Sequence, residues 1–359
     1  MGVSIAQKKL ITMAHGAGGS QMGRLIKDSI LANLGGSASL PEVEIALEEL
    51  DDSAAVGGVV FSTDSYVVKP LFFPGGDIGS LAVAGTINDI SAVGADPAAI
   101  SCALMLEEGF PIEELESILR SMSETSKLAG VPVVTGDTKV VERGALDGAF
   151  INTSGIGFGG DRLTKNIDMI KQYREFNENW IKDSNVRDGD KIIVSGTMGD
   201  HGITILSKRE GYGFESEVQS DIYPLNKMIS SALEEGGIAA MKDPTRGGLA
   251  NSLNEWSEKS KVGILIREED IPLTAGVVSA CEMLGIDPLA IGNEGKVVAA
   301  VVKEKAEDVL NKFRGTEPGK KATIIGEARS DIKGVVMETV VGGKRIVDMP
   351  AGDPVPRIC

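Results

Sequence analysis

Residues 59–94 read VVFSTDSYVVKPLFFPGGDIGSLAVAGTINDISAVG, and this stretch decides the fold class. Val59 to Val68 is rich in β-branched residues and predicts a strand. Gly75 and Gly76 frame a turn. Ile78 to Val93 then reads as a helix stopped by Gly94, a residue suited to the left-handed position after a helix end. The alternation continues along the chain. Strands are expected at Val131 to Val134, Ala149 to Phe158, Lys191 to Ser195, Lys296 to Val302 and Ala322 to Gly326. A helix is expected from Pro111 to Ala129, with Ile112, Leu115, Leu119 and Met122 on one face and Gly130 closing it. Others fit Gly202 to Glu210, Pro224 to Glu235, Gly248 to Lys259, Thr274 to Leu284 and Glu304 to Phe313. The fold class is α/β (α+β).

The chain has 359 residues, enough for two domains, and its 42% hydrophobic content suffices for a packed core. A polar stretch from Gly160 to Asp190 suggests a first domain over 1–160, a second over 161–334 and a terminal segment over 335–359. The net charge of −16 disfavours nucleic acid and anionic membranes, whose binding needs clustered Lys and Arg. No run approaches ~18 apolar residues, and the start MGVSIAQKKL lacks a secretory pattern, so a cytoplasmic protein is expected. With two histidines, three cysteines and neither CxxC nor HExxH, a zinc site of the usual kinds is excluded. Acid–base work falls to carboxylates and lysines.

Gly155, Gly157 and Gly160 form a G-x-G-x-x-G, read as glycines of a strand end because polar DRLTKN follows and no ribose-binding acid is assignable. A Walker A loop is absent. The informative residues are acids at turns and strand ends: Asp51-Asp52, Asp64, Asn88-Asp89 and Gly136-Asp137-Thr138-Lys139. Asp64 and Asp137 interrupt or follow buried strand patterns, where an unpaired carboxylate is costly. Convergent carboxylates beside the Gly-rich loop His15-Gly16-Ala17-Gly18-Gly19 suit a Mg²⁺–triphosphate, which needs hard oxygen ligands and open backbone N–H groups. Asp243 to Gly248, DPTRGG, reads as a turn into a helix start that favours an anion, and Glu294 stands at a strand entrance.

The terminal segment differs. Val335 to Val341 and Lys344 to Met349 flank Gly342-Gly343 as a hairpin. The final PAGDPVPRIC carries three prolines and predicts an extended, mobile tail reaching on the order of 30 Å with Cys359 at its tip. Cys102 and Cys281 lie in apolar runs and read as buried structural thiols. His15 sits in the Gly-rich loop, and His201 in GDHG reads as a cap or turn residue.

Together HGAGG, DDSA, TDSYVVKPLFFPGGDIGSLAVAGTINDISAVGA, VTGDTKVV, SGTMGDHG, DPTRGGLA, GNEGK and PRIC resemble the HypE family of hydrogenase maturation proteins, in the family's order from residue 15 to 359. That family is a branch of the PurM-like ATP-dependent synthetases. The resemblance implies a two-domain PurM-like fold whose first domain pairs through its sheet into a homodimer, with ATP sites near that interface. It also implies ATP-dependent dehydration of a carbamoyl group on the C-terminal cysteine to a thiocyanate, the source of the cyanide ligand of [NiFe]-hydrogenase iron. The implied partners are the carbamoyltransferase HypF, which loads the cysteine, and the HypC–HypD complex, which receives the product.

Roles follow by position in the matched motifs. Cys359 is the covalent carrier, Lys139 steadies the carbonyl oxygen or γ-phosphate, and Glu294 is the base for the carbamoyl nitrogen. Asp52, Asp64, Asp89 and Asp137 are the Mg²⁺ candidates. Gly18, Gly19, Asp51, Asn88, Thr138, Arg246, Gly247 and Gly248 are the ATP-binding candidates. The nearest rival is another PurM-like synthetase, such as selenophosphate or aminoimidazole ribonucleotide synthetase. The N-terminal loop HGAGGSQMG has no Cys for the first, and a small-molecule synthetase has no use for a proline-spaced terminal thiol. A non-catalytic nucleotide-binding scaffold is the reading from another class. Retention of the acidic set with Lys139 and Glu294 argues against it, and it predicts no ATPase activity that depends on Cys359.

Overall fold

The computed structural model describes residues 10–212, 218–352, 354–355 and 357–359; the expected leader-free start at 1–9 and Pro356 of the tail lie outside these residues. Helical turns Gly19–Leu25 (α1) and Ala32–Leu34 (α2), joined by a wider π-turn over Ile26–Leu31, precede the first sheet. That sheet comprises β1 (Val43–Ile45), β2 (Ala54–Val56), β3 (Val59–Tyr66), β6 (Asp96–Glu107), β7 (Val133–Val141) and β8 (Ala149–Phe158). Its order is β1-β2-β3-β8-β6-β7. A two-stranded ribbon, β4 (Phe72–Phe73) and β5 (Gly76–Asp77), is the turn that the glycines announced. Only β6 and β7 run parallel, joined by helix α4 (Ile112–Ala129), as a parallel pair requires.

Helix α3 (Ile78–Ala92) lies on this sheet with nearly every side chain buried. Asp77 caps it, accepting from the N–H groups of Gly79 and Ser80 at 2.8 and 2.9 Å. The glycines of β8 are what let α3 approach: a Cβ at Gly157 would stand 2.5 Å from Ile90. The G-x-G-x-x-G is thus a packing device. Along β3 burial alternates, with Val60, Ser62 and Tyr66 facing α3 and Val59, Phe61 and Thr63 facing outward.

The second sheet has the order β10-β12-β9-β13-β11-β14-β15, formed by β9 (Lys191–Val194), β10 (Ile238–Lys242), β11 (Gly263–Arg267), β12 (Val298–Val301), β13 (Thr323–Arg329), β14 (Val335–Glu338) and β15 (Lys344–Ile346). Helices α5 (Asp161–Lys171), α7 (Asn226–Glu235) and α10 (Ala306–Arg314) pack on one face with Ile193, Ala299 and Val301; α8 (Gly248–Ser260) packs on the other through Leu249, Leu253 and Trp256. Helices α6 (Asp200–Glu210) and α9 (Ala275–Leu284) instead join the core of the first sheet. The expected hairpin forms, with Glu338 opposite Lys344, and β14 joins the sheet beside β11. The polar stretch 160–190 is packed, not open: Leu163, Ile170, Trp180 and Ile181 are buried in a core shared by both halves.

The tail, expected as an extended and mobile segment with no resting position assigned, lies docked against the body. Ile358 and Cys359 are buried. The Val67 N–H donates to a terminal oxygen of Cys359 at 3.1 Å and the Lys69 N–H to the Arg357 carbonyl at 3.3 Å. The end of the chain thus runs antiparallel beside the segment that follows β3. Burying Ile358 outweighs the freedom that the prolines would leave to a solvated tail.

Candidate active site

Three elements converge where the halves meet. Strand β3 presents Asp64, helix α3 presents Asp89, and the turn before β2 presents Asp52. From the second half come Asp243, just after β10, Arg246 in the following turn, and Glu294 before β12. These six and Cys359 line one cavity of about 220 Å³. A larger cavity of about 770 Å³ adjoins it, sharing Asp52, Asp243, Thr245 and Arg246 and bounded by Gly18, Gly19, Asp51 and Lys259.

The smaller cavity is crowded with acid. Burial holds the Asp89 carboxyl well above the usual range, and Asp243, Asp64 and Asp52 push it further, while a 2.7 Å hydrogen bond from Ser62 works against them. Burial likewise raises Asp243, with Asp52 adding to it and Lys242 opposing. Burial, then Asp243, Asp64 and Asp221, raises Glu294. Arg246 is the cation facing them. Its Nη2 stands 3.7 Å from Asp64 Oδ1, and Cys359 foremost, against burial, holds the guanidinium above its ordinary pKa.

Asp52 and Asp51 are held from behind by a buried network. Lys242 Nζ donates to Asp52 Oδ1 at 2.8 Å and to Asp183 Oδ2 at 3.1 Å, and stands 3.2 Å from Glu255. Lys259 pairs with Asp183 at 2.5 Å and Asp51 at 3.6 Å. Burial opposes ionisation of Asp183, but the two ammonium groups more than offset it and leave its pKa lowered. Asp51, buried beside Asp183, is raised to about 7.

Two orphaned atoms show what the cavity is built to meet. Asp52 Oδ2 and Glu294 Oε1 are buried with no hydrogen-bond partner, which costs free energy unless a ligand satisfies them. Among the described residues no three acidic, imidazole or thiol groups close on an ion by themselves. That donor set fits Mg²⁺, which usually takes one or two carboxylates and completes its shell with phosphate oxygens and water.

Other residues expected in the site lie elsewhere. Asp137, Thr138 and Lys139 are on β7, the far edge of the first sheet, three strand spacings or ~14 Å from β3. Asp137 and Lys139 stand in register with Ala103 and Met105, on the face opposite α3, and pair with each other at 2.8 Å while exposed. One chain therefore does not bring them to the acidic cavity. Asn88 is buried behind it, donating to the carbonyls of Tyr223 and Glu294 and accepting from the Leu225 N–H at 2.7 Å. It fixes the backbone of Glu294 and lines neither cavity. Gly247 and Gly248 also line neither; both have positive φ, and the Gly248 N–H is taken by the Thr245 carbonyl. Gly18 and Gly19 do border the larger cavity, and both fit closely against backbone, of Arg246 and Pro350 respectively.

Two residues exceeded what the sequence reading assigned. Asp243 was legible only as part of a helix-start motif. His201, expected as a cap or turn residue, is fully buried in α6. Its Nε2 lies 2.7 Å from the Ile358 carbonyl and its Nδ1 2.8 Å from Ser220 Oγ. Cys102 and Cys281 are buried as expected, and burial pushes both thiols up to about 11. Among the described residues no helix is long and apolar enough to cross a membrane.

Comparison with known proteins gives this architecture a family. The N-terminal domain of the AIR synthase related proteins matches residues 50–158, and their C-terminal domain matches 187–337. A Methanocaldococcus jannaschii protein named for hydrogenase expression and formation is 52% identical over 354 residues, covering 97% of this chain and 99% of its own. Carbamoyl dehydratase HypE of Azotobacter vinelandii is 44% identical, covering 97% of each chain. Among solved structures, HypE in a HypE–HypF complex superposes with a TM-score of 0.81 at 44% identity, over 91% of this chain and 99% of that one. HypE in complex with ATP superposes with a TM-score of 0.77 at 41% identity, over 98% and 100%. The chain belongs to the HypE family of hydrogenase maturation proteins, on a two-domain PurM-like fold.

Proposed function

We propose that this protein is an ATP-dependent carbamoyl dehydratase that converts an S-carbamoyl group on its own Cys359 to a thiocyanate, for delivery as the cyanide ligand of [NiFe]-hydrogenase iron. The observation that carries the reading is the placement of the terminal cysteine in a buried acidic cavity, next to a larger one bordered by glycine backbone. A thiol on a chain end has no packing reason to enter a cluster of five carboxyls. As a carrier it has a chemical one.

Overall, S–C(=O)–NH₂ and ATP give S–C≡N, ADP, phosphate and a proton. ATP supplies the phosphoryl group that makes the carbonyl oxygen a leaving group, and Mg²⁺ offsets the phosphate charge. The protein's residues do the rest. Asp52, Asp64 and Asp89 supply the oxygens that would hold the ion, with Asp243 in the same ring. Arg246 faces the phosphates or the departing oxygen. Glu294, whose carboxyl has a raised proton affinity, is the base for the carbamoyl nitrogen; Asn88 donates to its backbone carbonyl and its N–H donates to Asp221 Oδ1, which keeps it aimed. The larger cavity takes the nucleoside.

Lys139 and Asp137 enter through a homodimer. Strand β7 is an edge exposed on both faces, with Val133, Val134 and Val140 open, and Phe61, Ile156 and Phe158 open on the sheet's outer face. Such an edge is a pairing surface unless something covers it. A second copy is the covering this reading assigns, and Asp137, Thr138 and Lys139 then act across the interface. HypF loads Cys359 and a HypC–HypD complex receives the product, so the tail alternates between its docked position and an outer one, in the cytoplasm.

ATP consumption tests this. Carbamoylated protein should consume about one ATP per Cys359 in a single burst. Uncarbamoylated and Cys359→Ala protein should show none. Steady hydrolysis indifferent to Cys359 would return the site to another PurM-like activity.

A further inference from the structure

The last three residues are held by more than the fit of a thiol. Each of them has a main-chain oxygen with a donor: Lys69 N–H and Arg209 Nη2 for Arg357, His201 Nε2 for Ile358, and Val67 N–H for a terminal oxygen of Cys359. A carbonyl only accepts, so Nε2 of His201 carries the proton and Ser220 Oγ donates to Nδ1. Burial lowers the His201 pKa, Asp221 and the Ile358 carbonyl opposing, which favours that neutral ring. Phe73 packs edge-on against the ring at 5.6 Å. The Ile358 side chain is buried with Ile203, Val277 and Ile291. It rests against Gly292, where an added Cβ would collide with Ile358 Cδ1 and also stand 2.8 Å from the Thr245 carbonyl oxygen.

We propose that His201 and Gly292 form a dedicated receptor for the penultimate residue, and that this receptor, rather than the thiol, sets how long Cys359 resides in the acidic cavity. His201 is neither acid nor base in the chemistry; it is a positioning residue that reads the main chain. Gly292 selects the Ile358 side chain by leaving its volume free. The mode is strand addition, in which main-chain bonds give affinity and one side-chain pocket gives specificity. It explains why a buried histidine and a glycine that touch no carboxylate of the site sit where they do. As a device for presenting the thiol to the site, it rests on the carrier reading above.

The test is thiol accessibility in the full chain. Wild type, Gly292→Ala, His201→Leu, His201→Gln and Ile358→Ala are alkylated with a maleimide, and peptide mapping follows each cysteine. Cys102 and Cys281, buried with raised pKa values, act as internal reporters of unfolding. Labelling of Cys359 relative to these two should rise ~10-fold or more in Gly292→Ala, His201→Leu and Ile358→Ala, since each loses a net hydrogen bond or a seated apolar side chain. His201→Gln, which keeps an N–H donor, should fall between wild type and His201→Leu. Unchanged Cys359 labelling in all variants, or a rise shared equally by the three cysteines, would overturn the proposal. The readout needs no carbamoyl group, so failure of the carrier chemistry would leave it unaffected.

Discussion

Lys242→Met removes the ammonium on which three carboxylates converge and keeps an apolar stem of similar length. The consequences differ among the three. Asp183 retains Lys259 at 2.5 Å and the Trp256 indole N–H at 2.7 Å, and Glu255 is partly solvated. Asp52 is the one stranded. Its Oδ1 loses Lys242, and its Oδ2 has no hydrogen-bond partner. Leaving one buried carboxylate without its cation costs ~3–5 kcal/mol. With unfolding entropy near 2.1 cal/mol/K per residue over this chain, that corresponds to roughly 5 °C in Tm. The loss should be largest at about pH 8 and shrink on mild acidification, because Asp52, already raised by burial, then takes up a proton and needs no cation. Asp52→Asn in the same background should recover most of the loss. Thermal and urea unfolding of the ligand-free protein provide the assay. A loss under about 1 kcal/mol at the higher pH, or one that grows on acidification, would refute the assignment of Lys242 as the support of Asp52.

Three further outcomes are expected. Asp89, Asp243 and Glu294 have raised folded-state pKa values, so their contribution is complete below the ordinary carboxylate range and is lost as pH rises through the raised values. Ligand-free Tm should therefore decline from about pH 5.5 to 8, and Asp243→Asn should flatten the slope; a rising Tm would contradict the crowding argument. Glu294→Gln mimics the protonated carboxyl, so Tm and nucleotide binding by calorimetry should stay close to wild type while thiocyanate formation falls by ~100-fold or more. Val140→Asp places a charge on the open edge strand; if the proposed homodimer pairs through β7, light scattering after size exclusion should show a monomer where wild type shows a dimer, with loss of ATP consumption. A dimer that survives it would remove β7 from the interface.

The fold was legible where one physical pattern dominated. Ala149 to Phe158, read as a strand from its composition and bounding residues, forms one with the expected bounds and alternating burial, and α3 begins and ends within a residue of the expected helix. Strand β6 was not legible as a strand: AAISCALML is rich in Ala, Leu and Met, which favour helices, and only its pairing with β7 and β8 on both sides makes it extended. Helix α5 hid in a polar stretch because its buried face consists only of Leu163, Asn166, Ile167 and Ile170. Site residues divide in a similar way. The motifs named the right neighbourhoods, but a motif does not say which member faces the cavity. Asp243 does, whereas Gly247, Gly248 and Asn88 shape the backbone around it. The docked tail was the least legible, since its proline content speaks for the unbound state and its docked state depends on His201 and Gly292, far away in sequence.

On the proposed chemistry, Cys359 carries the group that is dehydrated. Intact and peptide mass spectrometry of protein carbamoylated at Cys359, before and after Mg·ATP, measures this most directly. ATP-dependent loss of one water from the C-terminal peptide, and from no other, is the expected result. A correctly placed adduct that stays unchanged, in folded protein that still binds ATP, would contradict it.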